Sequence, residues 1–452
     1  MKFFDRIQES EFLKSFEKRN KKQMIIMYGR RRIGKTTLLR RVFPDATYFF
    51  VDTRSSETLL ADFSKQIFAG RFENWENFFR FLLKNNSVII MDEFQNFLKV
   101  DPSVFSILQK VWDETESKVL FILCGSYAGM MKKIFLDAKE PLFGRSDYQI
   151  QLKPFSFLDT YKMLKEFGYT FEEAVIWYSI LGGVPKYLWY LEESNRIDKK
   201  IYSLFFSDFG PLREEGKTLL IGEFGKEHPG YFAVLQAIGT NDRELGEIID
   251  RTGMVRTKAM KYLNELTNHY SITEKVDNFL SGARRGARYR IKDNFLGFWF
   301  RFVYSNQNMV EFNPEAALAF VLSNLQTRVG LVFEEVVKSL LPLFHKEGII
   351  PAVPLKVGKH WGKIPGTKNE SYEIDLIADC GKELLIFECK WQNKPVTRKA
   401  VTDFLKKSEY IKDNRKKIPV IISKAGFKNN IGNEVIKIDL DQIKKIADKH
   451  LE

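Results

Sequence analysis

Residues 29–37 read Gly29-Arg30-Arg31-Arg32-Ile33-Gly34-Lys35-Thr36-Thr37, between the apolar run Met24-Ile25-Ile26-Met27-Tyr28 and the amphipathic run from Thr36 to Phe43. The spacing fits a Gly-x4-Gly-Lys-Ser/Thr loop, placed where such a loop works, between a buried strand and a helix. Gly29 and Gly34 let the loop wrap, so that backbone N–H groups and the helix N-terminus face phosphate oxygens. Lys35 then reaches the β and γ phosphates, and the Thr36 hydroxyl serves as a Mg²⁺ ligand. This predicts an ATP site with Mg²⁺ over residues 29–37.

Working outward, Val88 to Met91 form a second apolar run that ends in Asp92 and Glu93. Asp92 is expected to hold the Mg²⁺, and Glu93 to orient or deprotonate the attacking water. An adjacent Glu points to a hydrolase rather than to a kinase or a GTPase. The run Val119-Leu120-Phe121-Ile122-Leu123-Cys124-Gly125 exits at Ser126. That residue either senses the γ-phosphate and positions water or caps the following helix. Arg145 either offers positive charge to the transition state, from a lid or a neighbouring subunit, or is a surface residue.

Short apolar runs alternate with helical patterns through about residue 150, which predicts an α/β fold with a parallel sheet. A mostly helical stretch at about 155–225 reads as a lid, closing a first domain at 1–225. Within 226–305, Glu244 to Val276 reads as helix, turn and helix, followed by a basic loop and a strand: a winged helix-turn-helix. Residues 306–452 form a third, α/β region.

The 71 basic against 58 acidic residues give a net charge of +13, which favours a polyanionic partner, with nucleic acid ahead of an anionic membrane. Three cysteines without a Cys-x-x-Cys pair and five scattered histidines indicate neither a disulfide framework nor a zinc site. The charged N-terminus and the expected absence of a bilayer-length apolar run predict a soluble protein of the reducing cytoplasm with no membrane partner. Its 40 phenylalanines predict aromatic cores.

In the third region, strand periodicity puts Glu373 and Asp375 on one face of a strand and Glu388 with Lys390 on one face of the next. Carboxylates so placed suit one or two hard divalent cations, Mg²⁺ or Mn²⁺, and the lysine suits water activation at a phosphodiester. Glu334, in the preceding helix, is an additional ligand. The same alternation also fits a merely wet hairpin face. Arg256, Lys258 and Lys261 lie near the start of the second helix of the helix-turn-helix, and Arg284, Arg285, Arg288 and Arg290 decorate the loop that would act as the wing. They suit DNA phosphates, although the same element would also serve as packing between domains.

Taken in order, FFDRIQESEFL, the phosphate loop, MDEFQNF, CGSYAGMM, PLFGR, LGGVPKYL, GPLREE, YRIKDNFLGFWFRFV, EIDLIAD and FECKW resemble the archaeal-type ATPase family. That family belongs to the signal-transducing NTPases with numerous domains. The resemblance implies that Gly183, Val184 and Pro185 couple nucleotide state to domain arrangement, and that Asp5 and Arg6 border the adenine. Arg30 stands where many relatives have Pro. The C-terminal array resembles the PD-(D/E)xK nucleases, with Ile374 in place of Pro, and the family's Gly-x-x-Phe-Glu pattern favours Glu334 over Glu335. The resemblance thus implies an ATPase that controls a DNA-directed, metal-dependent nuclease, able to form a homo-oligomer. The rival is a regulatory ATPase that binds DNA or a protein partner without cleaving.

Overall fold

The structure, a computed structural model, describes residues 4, 6–17, 19, 21–193, 196–239, 241–280, 286–367 and 370–451. They form two compact units: residues 1–154, 184–186 and 219–226 in one, and 155–183, 187–218 and 227–452 in the other.

The first unit is built on five parallel strands: β1 (Gln23–Tyr28), β2 (Thr47–Phe50), β3 (Val88–Asp92), β4 (Leu120–Gly125) and β5 (Tyr148–Gln151). Their spatial order is β2-β3-β4-β1-β5. Strands β1 and β4 are buried along their whole length, as expected of central parallel strands covered on both faces. Pairing sets Tyr28 opposite Gly125 and Met91 opposite Leu123. The residues that follow, Gly29, Asp92 and Ser126, therefore emerge at the same carboxyl edge, where open α/β sheets bind ligands. Helices Ser56–Ile67 and Trp75–Asn85, capped by the Ser55 and Asn74 side chains, cover the sheet. Edge-to-face contacts of Phe49 with Phe78 and of Trp75 with Phe97 make this core aromatic.

In the second unit, helices Phe157–Glu166 and Phe171–Leu181 each open on a capping box, Ser156 with Asp159 and Thr170 with Glu173. The second helix ends at Gly182, in the left-handed region at φ +62°. A Cβ on Gly183 would lie 2.0 Å from the Phe155 carbonyl oxygen, so this turn needs glycine there. Helices Pro229–Ile238, Leu245–Thr252 and Arg256–Asn264 accompany β6 (Arg243–Glu244), β7 (Thr273–Val276) and β8 (Arg288–Ile291), an antiparallel sheet of order β6-β8-β7.

The chain then runs through helix Pro314–Lys346 into β9 (Lys356–Lys363), β10 (Ser371–Asp379), β11 (Glu383–Lys390), β12 (Lys416–Ser423) and β13 (Ile436–Asp439). These pair in the order β13-β12-β11-β10-β9, with β10 antiparallel to β9 and β11 and the remaining pairs parallel. Helix Arg398–Glu409 supplies the crossover that parallel β11 and β12 require. By length and mean hydropathy alone, helix Pro314–Lys346 is long and apolar enough to cross a membrane, as core helices can also be. Here its Val321, Leu325, Val329, Val336 and Leu340 stripe is buried in the unit's core.

Candidate functional site

The phosphate loop closes on itself. Gly34 sits at φ +90° as the N-cap of helix Lys35–Val42, and Arg32 also has positive φ, +70°. A Cβ on Gly29 would come within 2.3 Å of the Leu152 carbonyl oxygen, which explains the glycine. Buried Lys35 donates through Nζ to the carbonyls of Gly29 at 2.8 Å and Arg30 at 3.0 Å, curling the loop around its own ammonium. Ile33 is buried, while Arg31 and Thr37 face solvent. Arg6 donates to the Ile33 carbonyl at 3.3 Å and the Lys153 carbonyl at 2.6 Å, bracing the loop. Asp5 lies outside the described residues.

Thr36 Oγ1 donates to Asp92 Oδ2 at 2.5 Å, and the Tyr48 hydroxyl donates to the same oxygen at 3.0 Å. A hydroxyl and a 3% exposed carboxylate in contact form an oxygen pair suited to a hard divalent cation, which would polarise the phosphate oxygens when bound. Glu93 is held at φ +54°, left-handed backbone that costs a non-glycine residue on the order of 1 kcal/mol and is common where side chains are aimed for function. Its carboxylate accepts from Ser126 Oγ at 2.5 Å and from Gln95 Nε2 at 2.5 Å. Ser126 thus orients Glu93 directly. Arg145 is instead engaged by Asp113, at 3.1 Å, and by the Phe143 carbonyl, so its recorded contacts do not bring it to the loop.

At the C-terminal array, Glu334, Asp375 and Lys390 line one cavity of about 360 Å³, together with Cys389 and Trp391. Asp375 Oδ2 accepts from the Cys389 N–H at 2.7 Å, and Glu388 is held by Lys390 at 2.5 Å and by Lys407 at 3.2 Å. Burial, reinforced by Glu388, pushes the Asp375 carboxyl up. Glu334 is buried and faces this cavity, whereas Glu335 pairs with Arg290. Among the described residues, no three His, Cys, Asp or Glu side chains converge to hold a metal ion. The residues proposed as ligands, Glu334, Asp375 and Glu388, therefore do not fit a metal in this arrangement, because each is already held by a cation or an N–H.

The basic residues divide sharply. Arg256, Lys258 and Lys261 lie exposed on helix Arg256–Asn264, beside exposed Val255 and Met260. Arg288 and Arg290 are not open to phosphate as the sequence reading expected. Arg288 pairs with Glu373 at 2.8 Å and lies 4.2 Å over the Trp361 ring, while Arg290 pairs with Glu274 and Glu335 at 2.5 and 2.7 Å. The physical reason is alternation along β8, which turns both side chains towards carboxylates, while the Phe279 N–H donates to the Lys359 carbonyl of edge strand β9. Arg284 and Arg285 lie outside the described residues.

A family model described as an ATPase domain predominantly from Archaea matches residues 3–191. An uncharacterized protein of Methanocaldococcus jannaschii is 31% identical over 441 residues, 93% of this chain and 95% of that protein. The chain belongs to the archaeal ATPase family. A second model, described as Archaea bacterial proteins of unknown function, matches residues 299–404 of the chain and takes in Glu334, Asp375, Glu388 and Lys390. Among solved structures, the ORC2 protein of Aeropyrum pernix, with ADPNP and ADP, is similar at TM-score 0.49 and 14% identity, covering 69% of this chain and 96% of that one. A signal-transduction ATPase with a tetratricopeptide repeat sensor from Pyrococcus horikoshii is similar at TM-score 0.29 and 15% identity, covering 76% and 51%.

Two buried charged residues of the chain carry no signal in the sequence. Glu223, 8% exposed, belongs to the unit that holds the phosphate loop. Burial pushes its carboxyl up to about 8, against the opposing charges of Lys35 and Arg30. It sits in Leu220-Ile221-Gly222-Glu223-Phe224, where a lone acid in a helical stretch gives no sequence signal. Lys359, in β9, pairs with Glu334 at 2.7 Å, and its strand reads simply as polar.

Proposed function

We propose that the chain hydrolyses ATP with Mg²⁺ and thereby controls a DNA-directed, metal-dependent nuclease formed by residues 306–452, in which Glu334, Asp375 and Glu388 must rearrange before they can hold a cation. The observation that carries the ATPase part is the meeting of Thr36 with Asp92 and of Ser126 with Glu93 at one edge of the sheet. Lys35 and the loop N–H groups bind the phosphates, Thr36 and Asp92 hold the cation, and Glu93, aimed by Ser126 and Gln95, takes the proton of the attacking water. Gly183 to Pro185 link nucleotide state to domain arrangement.

Residues 226–305 serve as a winged helix-turn-helix. Exposed Arg256, Lys258 and Lys261 supply its phosphate contacts, and its charge contributes to the +13 of the chain. The shared cavity of Glu334, Asp375 and Lys390 supports the nuclease part. One observation favours a second reading, a switch that binds DNA or a protein partner without cutting: no carboxylate trio converges on a metal among the described residues. Incubating the full chain with duplex and single-stranded DNA and Mg²⁺ or Mn²⁺ separates the two. The nuclease reading expects strand scission that Asp375→Ala and Glu388→Ala abolish. Binding without scission, or scission unchanged in both variants, overturns it.

A further inference from the structure

Helix Arg256–Asn264 shows solvent a face of mixed chemistry. An α-helix turns by about 100° per residue, so Arg256, Thr257, Met260, Lys261 and Asn264 share an arc of about 140°. All five are exposed, whereas Ala259 and Leu263, on the other side, are buried. Arg256 and Lys261 form the two edges of the arc; Met260, 50% exposed, lies between them with Thr257 and Asn264. No acidic side chain interrupts it. Lys258 falls outside, its ammonium 5.7 Å from the centre of the Tyr262 ring. Cations at both edges complement phosphates, but a surface made for phosphates alone gains nothing from an exposed methionine in its middle. The major groove of duplex DNA admits a helix, and of the four bases thymine alone shows a methyl group there.

We propose that Met260 and the methyl group of Thr257 read thymine 5-methyl groups in the major groove of duplex DNA, with Arg256 and Lys261 seated on the phosphates to either side. This rests on reading residues 226–305 as a DNA-binding winged helix-turn-helix, and adds a base preference to it. The contact is apolar. Each thymine methyl that leaves water against the Met260 thioether or the Thr257 methyl favours binding by the burial of one methyl group, about fourfold in affinity. The cations carry no such preference, because every base pair presents the same phosphates. Overall affinity and choice of sequence are thereby held by different side chains of one helix face.

The test is fluorescence anisotropy of the full chain on a labelled duplex of alternating dA and dT, and on the same duplex with uracil in place of every thymine. Both are measured with and without a non-hydrolysable ATP analogue. The exchange removes the 5-methyl groups and keeps pairing and charge. Wild type should bind the thymine duplex about fourfold or more tightly than the uracil duplex. Met260→Gln combined with Thr257→Ser should abolish that difference, Met260→Leu should keep it, and Arg256→Ala should weaken binding to both duplexes by the same factor. Melting checks the fold of each variant. Equal binding of the two duplexes by wild type, or a thymine preference that the double variant retains, overturns the base readout and leaves DNA binding standing. If wild type binds neither duplex in either nucleotide state, or if Arg256→Ala and Lys261→Ala bind as wild type does, the DNA reading of residues 226–305 fails, and the readout with it.

Discussion

Glu93 concentrates the chemistry of the first unit at one residue: strained backbone, two side-chain donors and an acidic neighbour that contacts Thr36. Glu93→Gln keeps the shape and removes the proposed base. Phosphate release should fall by about 10²- to 10⁴-fold while a non-hydrolysable ATP analogue still binds; loss of binding alongside would mean that Glu93 only supports the loop. Gly29→Ala tests a different physical point. Its Cβ would meet the Leu152 carbonyl at 2.3 Å, so the variant should lose about 1–3 kcal/mol in chemical denaturation. Lys35, Thr36 and Asp92 were legible because a phosphate loop and an acid at a strand end each have a local spelling. Gln95 and Tyr48 were not, since the partners they hold are fixed by a positive-φ turn and by the β2–β3 register.

At the scale of elements, Glu223 provides a pH signature. Its carboxyl is raised from 4.5 to about 8, so its favourable contribution is complete below about pH 4.5 and is lost as pH rises through about 8. Glu223→Gln is free of that loss. Relative to wild type it should gain on the order of 2–4 kcal/mol between about pH 5 and pH 8, read from urea titrations at each pH. A constant difference would contradict the burial of an ionisable acid there. On helix Arg256–Asn264, replacing Arg256, Lys258 or Lys261 by Ala should weaken DNA binding evenly across sequences. Each change should reduce the slope of log affinity against log salt by about 0.9. Arg288→Ala and Arg290→Ala should leave that slope unchanged, because their charges are spent on Glu373, Glu274 and Glu335. The sequence put Arg288 and Arg290 in a basic loop, whereas the structure puts both on one face of β8. What faces them is set by residues 85 and 45 positions away along the chain, and no local pattern records it.

For the molecule as a whole, strands β1, β3 and β4 and the acids that end β3 were visible in the sequence because each of these strands is an apolar run, whereas β5, Tyr-Gln-Ile-Gln, is not one. The C-terminal hairpin was visible through alternation, and its turn sets Gly381 at φ +83°. Hidden from the sequence was the charge state of the carboxylate site, because Lys359 reaches Glu334 from a strand that reads as polar. Control of the C-terminal core by ATP is open to a single comparison. Cleavage of duplex and single-stranded DNA is measured with Mg²⁺ or Mn²⁺, with and without ATP, for wild type and Lys35→Ala, with Asp375→Ala as the blank. ATP should change the cleavage rate of wild type and leave that of Lys35→Ala unaltered. An identical ATP response in both proteins, or no cleavage by either beyond the Asp375→Ala blank, would contradict it.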